Sequence, residues 1–124
     1  MAFSNAIGEF SLNINSATFS ESLEEGTKIN VEGQAPNLGE VVGTMTLRAF
    51  GPGSEGGKAD WVGVTMNQEG KSTPTTGRGY YHQSGPKTWR LHLISQGANG
   101  EVVLVEGEMG REPRRYNGVV YKWK

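Results

Sequence analysis

The sequence predicts an all-β fold, a single antiparallel barrel of about eight strands over residues 1–124, with a flattened barrel or a sandwich as the alternative. Apolar and polar residues alternate with a period of two through most of the chain, whereas no segment sustains a helical period. The 19 glycines are scattered among runs of Val, Thr, Tyr and Trp, which is typical of many turns and bulges. The length of 124 residues fits one domain.

Four strands are predicted in the first half of the chain. The segment EFSLNIN alternates Phe10, Leu12 and Ile14 with polar residues, as a strand with one buried face does. The same alternation predicts strands in KINVEGQ (residues 28–34), EVVGTMTLRAF (40–50) and ADWVGVTM (59–66).

Two segments that connect these strands have compositions of their own, one typical of a short helix and one of a flexible loop. TFSESLEEG is the only segment with helix signals, because Thr18 could cap a helix, Glu21 follows three residues later and Gly26 could end it. We expect one or two helical turns at most. GPGSEGGK, residues 51–58, has the composition of a flexible loop between strands.

Four more strands complete the count, at residues 78–83, 88–95, 101–109 and 118–124. The first two of these form a predicted hairpin around the turn-like SGP sequence. Asn99-Gly100 and Asn117-Gly118 have the composition of type I′ turns beside strands.

The predicted hairpin gathers basic and aromatic side chains on one face. If residues 83–87 form its loop, the facing pairs are His82 and Thr88, Tyr80 and Arg90, and Arg78 and His92. The opposite face, with Tyr81 facing Trp89, is the predicted core face. We call Arg78, Tyr80, His82, Arg90 and His92 the basic-aromatic patch.

Two interpretations of the basic-aromatic patch remain open. Polar residues on the wet face of an antiparallel sheet need no function. However, arginines and histidines without a facing carboxylate repel one another once protonated, unless an anion, a neighbouring strand or another subunit supplies the partner. The patch is therefore the predicted ligand-binding site.

Asp60 is the only aspartate of the chain and is the one remote candidate for a catalytic residue. At a junction between a loop and a strand, an aspartate most often accepts backbone hydrogen bonds as a turn residue. A paired-aspartate peptidase needs two carboxylates, which one aspartate per chain could supply only across a symmetric dimer.

Composition argues against several classes of partner. Lys and Arg number 12 and Asp and Glu 13, so the net charge of −1 provides no basic field for nucleic acid or anionic membranes. Without cysteine the chain has no disulfide and no thiolate, and two histidines without clustered carboxylates predict no metal site and no cofactor. The N-terminal segment resembles neither a signal peptide nor a membrane span, so a cytoplasmic location is expected.

The middle half of the chain resembles the small bacterial barrels of the allene oxide cyclase and dirigent type, a calycin-like group. The resemblance rests on GEVVGTMTLRAFG, GGKADW, GRGYY and SGPKTWRLHL, whereas the Gly-x-Trp of lipocalins is absent. It implies a lumen that binds apolar or oxygenated small molecules and a tendency to oligomerise. No residue here matches a catalytic residue of a known cyclase.

Three functional hypotheses follow. The first is a barrel that binds an anionic or oxygen-rich small molecule through the basic-aromatic patch. The second is an enzyme, either a cyclase or isomerase acting in the barrel cavity or a self-processing hydrolase centred on Asp60. The third is a structural or interaction module that assembles with its own copies. A homo-oligomer, most simply a dimer, is expected because runs such as VVLV and VVY contain few charges to protect a sheet edge.

Overall fold

The computed structural model describes residues 3–37, 39–96 and 100–123, which form one closed antiparallel barrel. The strands follow one another around the barrel in chain order, and β1 pairs with β8 to close it. The eight strands are β1 (Phe3–Thr18), β2 (Thr27–Ala35), β3 (Gly39–Ala49), β4 (Gly56–Met66), β5 (Ser72–Gly85), β6 (Thr88–Gln96), β7 (Val102–Arg111) and β8 (Arg114–Trp123). The predicted all-β barrel is confirmed.

The period-two alternation of the sequence gives the barrel its inner and outer walls. Alternate residues of each strand point inward, and the largest fully buried side chains are Met45, Leu91 and Val31. Phe10 and Leu12, predicted from EFSLNIN to face the core, are buried as well. Every strand pairs with a neighbour on each side, so no strand edge is left unpaired among the described residues.

The connections between strands define two ends of the barrel. At one end lie the connections that follow β2, β4 and β6, with Asn37 in the first and Glu101 in the last. We call this the open end, because the interior is accessible there. The other four connections lie at the opposite end.

Two pairs of glycines make room for large side chains inside the barrel. Gly43 faces Gly63 across the β3–β4 ladder, and a Cβ at either position would overlap the indole of Trp61. Gly107 faces Gly118 across β7 and β8, and a Cβ at Gly118 would lie 2.6 Å from Cζ of Phe10. These glycines are therefore part of the core packing, since they let aromatic rings approach the backbone of the inner wall closely.

The prediction of a short helix in residues 18–26 is wrong. Thr18 is the last residue of β1, and the connection to β2 contains a single turn in which the Gly26 amide donates to the Ser22 carbonyl at 3.1 Å. Gly26 ends this turn with a φ of 69°, as expected of a terminating glycine. Ser22, not Thr18, acts as the cap, because its hydroxyl accepts from the Glu25 amide.

Two predicted connections also differ from the structure. Asn117 and Gly118 lie within β8 and not in a turn, since Gly118 is required beneath Phe10, while the connection between β7 and β8 is at Glu112-Pro113. The loop after β3 covers residues 50–55 only, because Gly56 and Gly57 already belong to β4 and pair with β5. The turn predicted at Asn99-Gly100 depends on Asn99, which lies outside the described residues.

The described residues contain no helix of the length and apolarity that crossing a membrane requires.

Candidate functional site

The barrel encloses a cavity of about 320 Å³ that opens at the open end. Its wall is mainly aliphatic and aromatic, with Phe10, Leu12, Val41, Met45, Leu93 and Val105 among the lining side chains. Asn37 and Glu101, both exposed to solvent, also line it and therefore mark its mouth. The cavity volume is at the lower end of the range for small-molecule sites.

Tyr116 lines the cavity and carries the one buried side-chain polar atom without a hydrogen-bond partner among the described residues. The residue lies near the start of β8, on the side away from the open end, and only 3% of its surface is exposed. Its ring meets Phe10 edge to face, with centroids 4.8 Å apart and planes at 71°. The hydroxyl oxygen is buried and has no hydrogen-bond partner within the described structure.

Burial determines the protonation of this hydroxyl. Removal from water disfavours the phenolate and raises the pKa of Tyr116 well above its ordinary value. The group therefore stays protonated at neutral pH and has a hydrogen to donate. A buried donor without an acceptor is energetically unfavourable.

The other polar groups of the inner wall are largely paired within the protein. Trp61 Nε1 donates to Thr75 Oγ1 at 2.8 Å, and Ser95 Oγ donates to the Thr76 carbonyl at 2.7 Å. Both bonds link neighbouring positions of the wall and leave the indole nitrogen satisfied. Glu101 is the only charged side chain among the described residues that line the cavity.

The basic-aromatic patch lies on the outer wall of β5 and β6, not in the cavity. Tyr80 is 60% exposed, and the Arg78 side chain is 91% exposed. The structure brings all five residues to one face, and the rings of His82 and His92 stack with centroids 5.9 Å apart. The predicted division of the hairpin into a wet face and a core face thus agrees with the structure.

The predicted register of this hairpin is wrong by two residues. Tyr80 faces His92 and His82 faces Arg90, because Gly85 and Thr88 close the hairpin around Pro86-Lys87 and the ladder is irregular at Ser84. The loop is therefore shorter than the predicted residues 83–87. A shift of two residues keeps every side chain on its face, which is why the two faces were predicted correctly.

Neighbouring strands supply the carboxylates that the hairpin itself lacks. Asp60 of β4 lies 3.7 Å from Arg78, and Glu106 of β7 lies 4.0 Å from His92. Glu108 of β7 is the ladder partner of Arg90. The patch is therefore interleaved with acidic residues on both sides, and anion binding by its five residues stays a prediction.

Asp60 is an ion-pair residue of the outer wall. It lies within β4, faces Thr46 and Arg78 across the two ladders, and its carboxylate is 2.6 Å from Nη1 of Arg48. The prediction of a turn residue with backbone partners is therefore wrong, because β4 begins at Gly56, three residues before the strand that the hydrophobic pattern predicts. A catalytic role for Asp60 stays an untested alternative.

Tyr116 was missed by sequence reasoning, although a signal for it exists. The alternation of Val120 and Gly118 on the inner face extends back to Tyr116, but the Asn117-Gly118 pair suggested a turn that would interrupt it. The position of Gly118 under Phe10 explains why β8 continues through Asn117 and Gly118.

No group of three or more His, Asp or Glu side chains in the described part of the chain is arranged to hold a metal ion. Comparison of the sequence with family models and with curated proteins, and of the fold with solved structures, finds no significant match.

Proposed function

We propose that the protein binds an apolar small molecule inside its barrel. The observation that carries the proposal is the cavity of about 320 Å³, whose wall combines aliphatic and aromatic side chains with few polar groups. Concave and mainly apolar sites of this kind are where proteins bind small molecules. The resemblance to the allene oxide cyclase and dirigent barrels supports the same conclusion, because it implies a ligand in the lumen.

The construction of the barrel favours binding in two ways. Apolar surface of a ligand that enters the cavity leaves water, which is worth roughly 25 cal/mol per Å². The wall is a closed sheet in which each strand pairs on both sides, so little ordering has to accompany binding. A preformed cavity also limits the size of the ligand.

An enzyme acting in the same cavity is the second hypothesis. A protonated phenol can donate to an oxygen that gains charge, but the Tyr116 hydroxyl is buried and out of reach of a carbonyl bound in the cavity. General acid–base chemistry needs a second group within hydrogen-bond reach of the reacting atoms. Because the described residues supply Tyr116 with no such partner, binding is the simpler function.

A neutral fluorophore tests the proposal. N-phenyl-1-naphthylamine is apolar and uncharged, and its fluorescence rises in apolar surroundings, so titration with the protein reports entry into the cavity. Val103 lines the cavity and is half-buried, whereas Val62 lies on the outer wall and is 65% exposed. Val103→Phe fills cavity space, and Val62→Phe adds the same atoms to the outer wall as a matched control.

We expect the native protein and Val62→Phe to bind the fluorophore alike, and Val103→Phe to bind it at least about tenfold more weakly. Equal binding by all three proteins would locate the fluorophore outside the cavity and contradict the proposal. The absence of fluorophore binding by the native protein would contradict it as well.

A further inference from the structure

We infer that the ligand is an amphiphile with one apolar chain, which enters the barrel chain first and leaves its polar head group at the mouth of the cavity. The inference rests on the proposed function, since it specifies what the cavity binds and in which direction. It follows from the way polar and apolar groups are distributed between the inner part of the cavity and its mouth.

The inner part of the cavity is apolar. Strands β1 and β3 run inward from the open end, so Leu12 and Met45 lie deep in the cavity wall. Leu91 and Met109 are buried further in and occupy the interior beyond them. An apolar chain that reaches this depth leaves water and contacts hydrocarbon, which favours its binding.

Polar lining groups lie towards the open end. Thr65 is the last residue but one of β4, Asn37 belongs to the connection after β2, and Glu101 directly precedes β7. Asn37 and Glu101 are exposed to solvent. A ligand that is apolar throughout would take water from these groups without a hydrogen bond in exchange, which is unfavourable. A polar head group at the mouth avoids this cost.

Two donors of the wall are already used within the protein. The Trp61 indole nitrogen donates to Thr75, and the Ser95 hydroxyl donates to a backbone carbonyl. A head group that entered first would lose its water without gaining either donor, which is costly for a polar group and more so for a charged one. The wall therefore favours entry of the apolar end.

The charges around the mouth make the position of the head group measurable. Glu101 lines the cavity there, and Lys122 of β8 faces the lining residue Val103 across the β7–β8 ladder, so the mouth has a charge of each sign nearby. Glu69 is exposed on the connection after β4, at the same end of the barrel, and lies outside the cavity wall. Charge reversal at Glu101 or at Glu69 changes the net charge of the protein equally, but only Glu101 is beside the mouth.

Three amphiphiles with the same octyl chain test the inference by displacing N-phenyl-1-naphthylamine at low ionic strength, each below its micelle-forming concentration. Octyl glucoside has a bulky uncharged head group, octyl sulfate a negative one and octyltrimethylammonium a positive one. Each is titrated into the native protein, Glu101→Lys, Glu69→Lys and Val103→Phe. Glu101 and Glu69 are both exposed, so their substitution leaves the fold intact.

We expect the native protein to bind octyl glucoside, since its head group remains outside, and Val103→Phe to bind all three amphiphiles at least about tenfold more weakly. Glu101→Lys should strengthen the binding of octyl sulfate and weaken that of octyltrimethylammonium, each by about threefold, as for a charge partly screened by water. Glu69→Lys should leave both affinities nearly unchanged. Octyl glucoside should bind both lysine variants as it binds the native protein.

Failure of octyl glucoside to displace the fluorophore from the native protein would overturn the inference, because the chain could then not enter with its head group outside. Equal effects of Glu101→Lys and Glu69→Lys on the two charged amphiphiles would overturn it as well, because the head group would then not lie at the mouth. Both results leave the proposed function intact if the fluorophore itself still distinguishes Val103→Phe from Val62→Phe.

Discussion

At the scale of single residues, Tyr116 links the stability of the protein to pH. Burial raises its pKa above the ordinary 10.0, so the folded protein keeps a proton that the unfolded chain releases as the pH passes 10. The unfolded state then binds fewer protons than the folded state, and stability must fall as the pH rises. Tyr81, which is less buried, contributes in the same direction because partial burial raises its pKa too.

The measurable consequence is a slope in the free energy of unfolding. Above pH 10 we expect the native protein to lose about 1.4 kcal/mol per pH unit through Tyr116, and Tyr116→Phe to lose that much less. Urea denaturation between pH 9 and about pH 11 measures this difference. The same change at the exposed Tyr80 is the control and should leave the slope of the native protein unchanged. Identical slopes for all three proteins would show that Tyr116 ionises as readily in the folded protein as in the unfolded chain.

At the scale of strands, the inner wall depends on glycines beneath aromatic rings. Gly63 has the Trp61 indole directly against it, so an added methyl group must displace either the ring or the backbone of β3. We expect Gly63→Ala to destabilise the protein by about 1–3 kcal/mol, as for overpacking of a core.

Gly51 offers the matched control for this substitution. A Cβ at Gly51 would meet no atom within 4 Å, and its φ is not positive, so Gly51→Ala should change the free energy of unfolding by less than about 0.5 kcal/mol. Denaturation in urea compares the two variants. Equal stability of Gly63→Ala and Gly51→Ala would mean that the Trp61 ring can adopt another position without loss of stability.

The strands also show what alternation in the sequence can and cannot predict. It identified all eight strands and assigned the residues of β5 and β6 to the correct walls, because a side chain's face depends only on whether its position is odd or even. The exact register depended on the length of one turn, which was predicted as residues 83–87 and is Pro86-Lys87 in the structure. The length of a turn leaves no periodic pattern in the sequence. The prediction therefore paired the wrong residues across the hairpin, although it assigned each residue to the correct wall.

At the scale of the whole molecule, the cavity could not be predicted because no single segment contains it. Its wall combines Phe10 of β1, Met45 of β3, Trp61 of β4 and Tyr116 of β8, which become neighbours only when the barrel closes. Sequence reasoning therefore favoured the basic-aromatic patch, whose members lie on one hairpin. The carboxylates that flank the patch, Asp60 and Glu106, come from strands on either side of that hairpin and were missed for the same reason.

Closure of the barrel also changes the argument for a homodimer. The expectation was based on unprotected sheet edges, but β1 and β8 pair with each other and leave no free edge in the described structure. What remains is the outer wall of β6, β7 and β8, where Ile94, Leu104 and Tyr121 are successive ladder neighbours. Ile94 is 48% exposed, and an apolar row of this kind on a small protein is a typical contact surface.

If the protein is a dimer through this wall, a charge at its centre must separate the copies. We expect light scattering to give twice the mass of one chain for the native protein and the mass of one chain for Ile94→Lys, since a lysine buried in an apolar contact has no partner for its charge. Val42→Lys is the matched control, because Val42 is 42% exposed on the outer wall of β3, three strands away around the barrel. Dissociation by Val42→Lys and not by Ile94→Lys would move the contact to β3, and a native protein with the mass of one chain at high concentration would rule out the dimer.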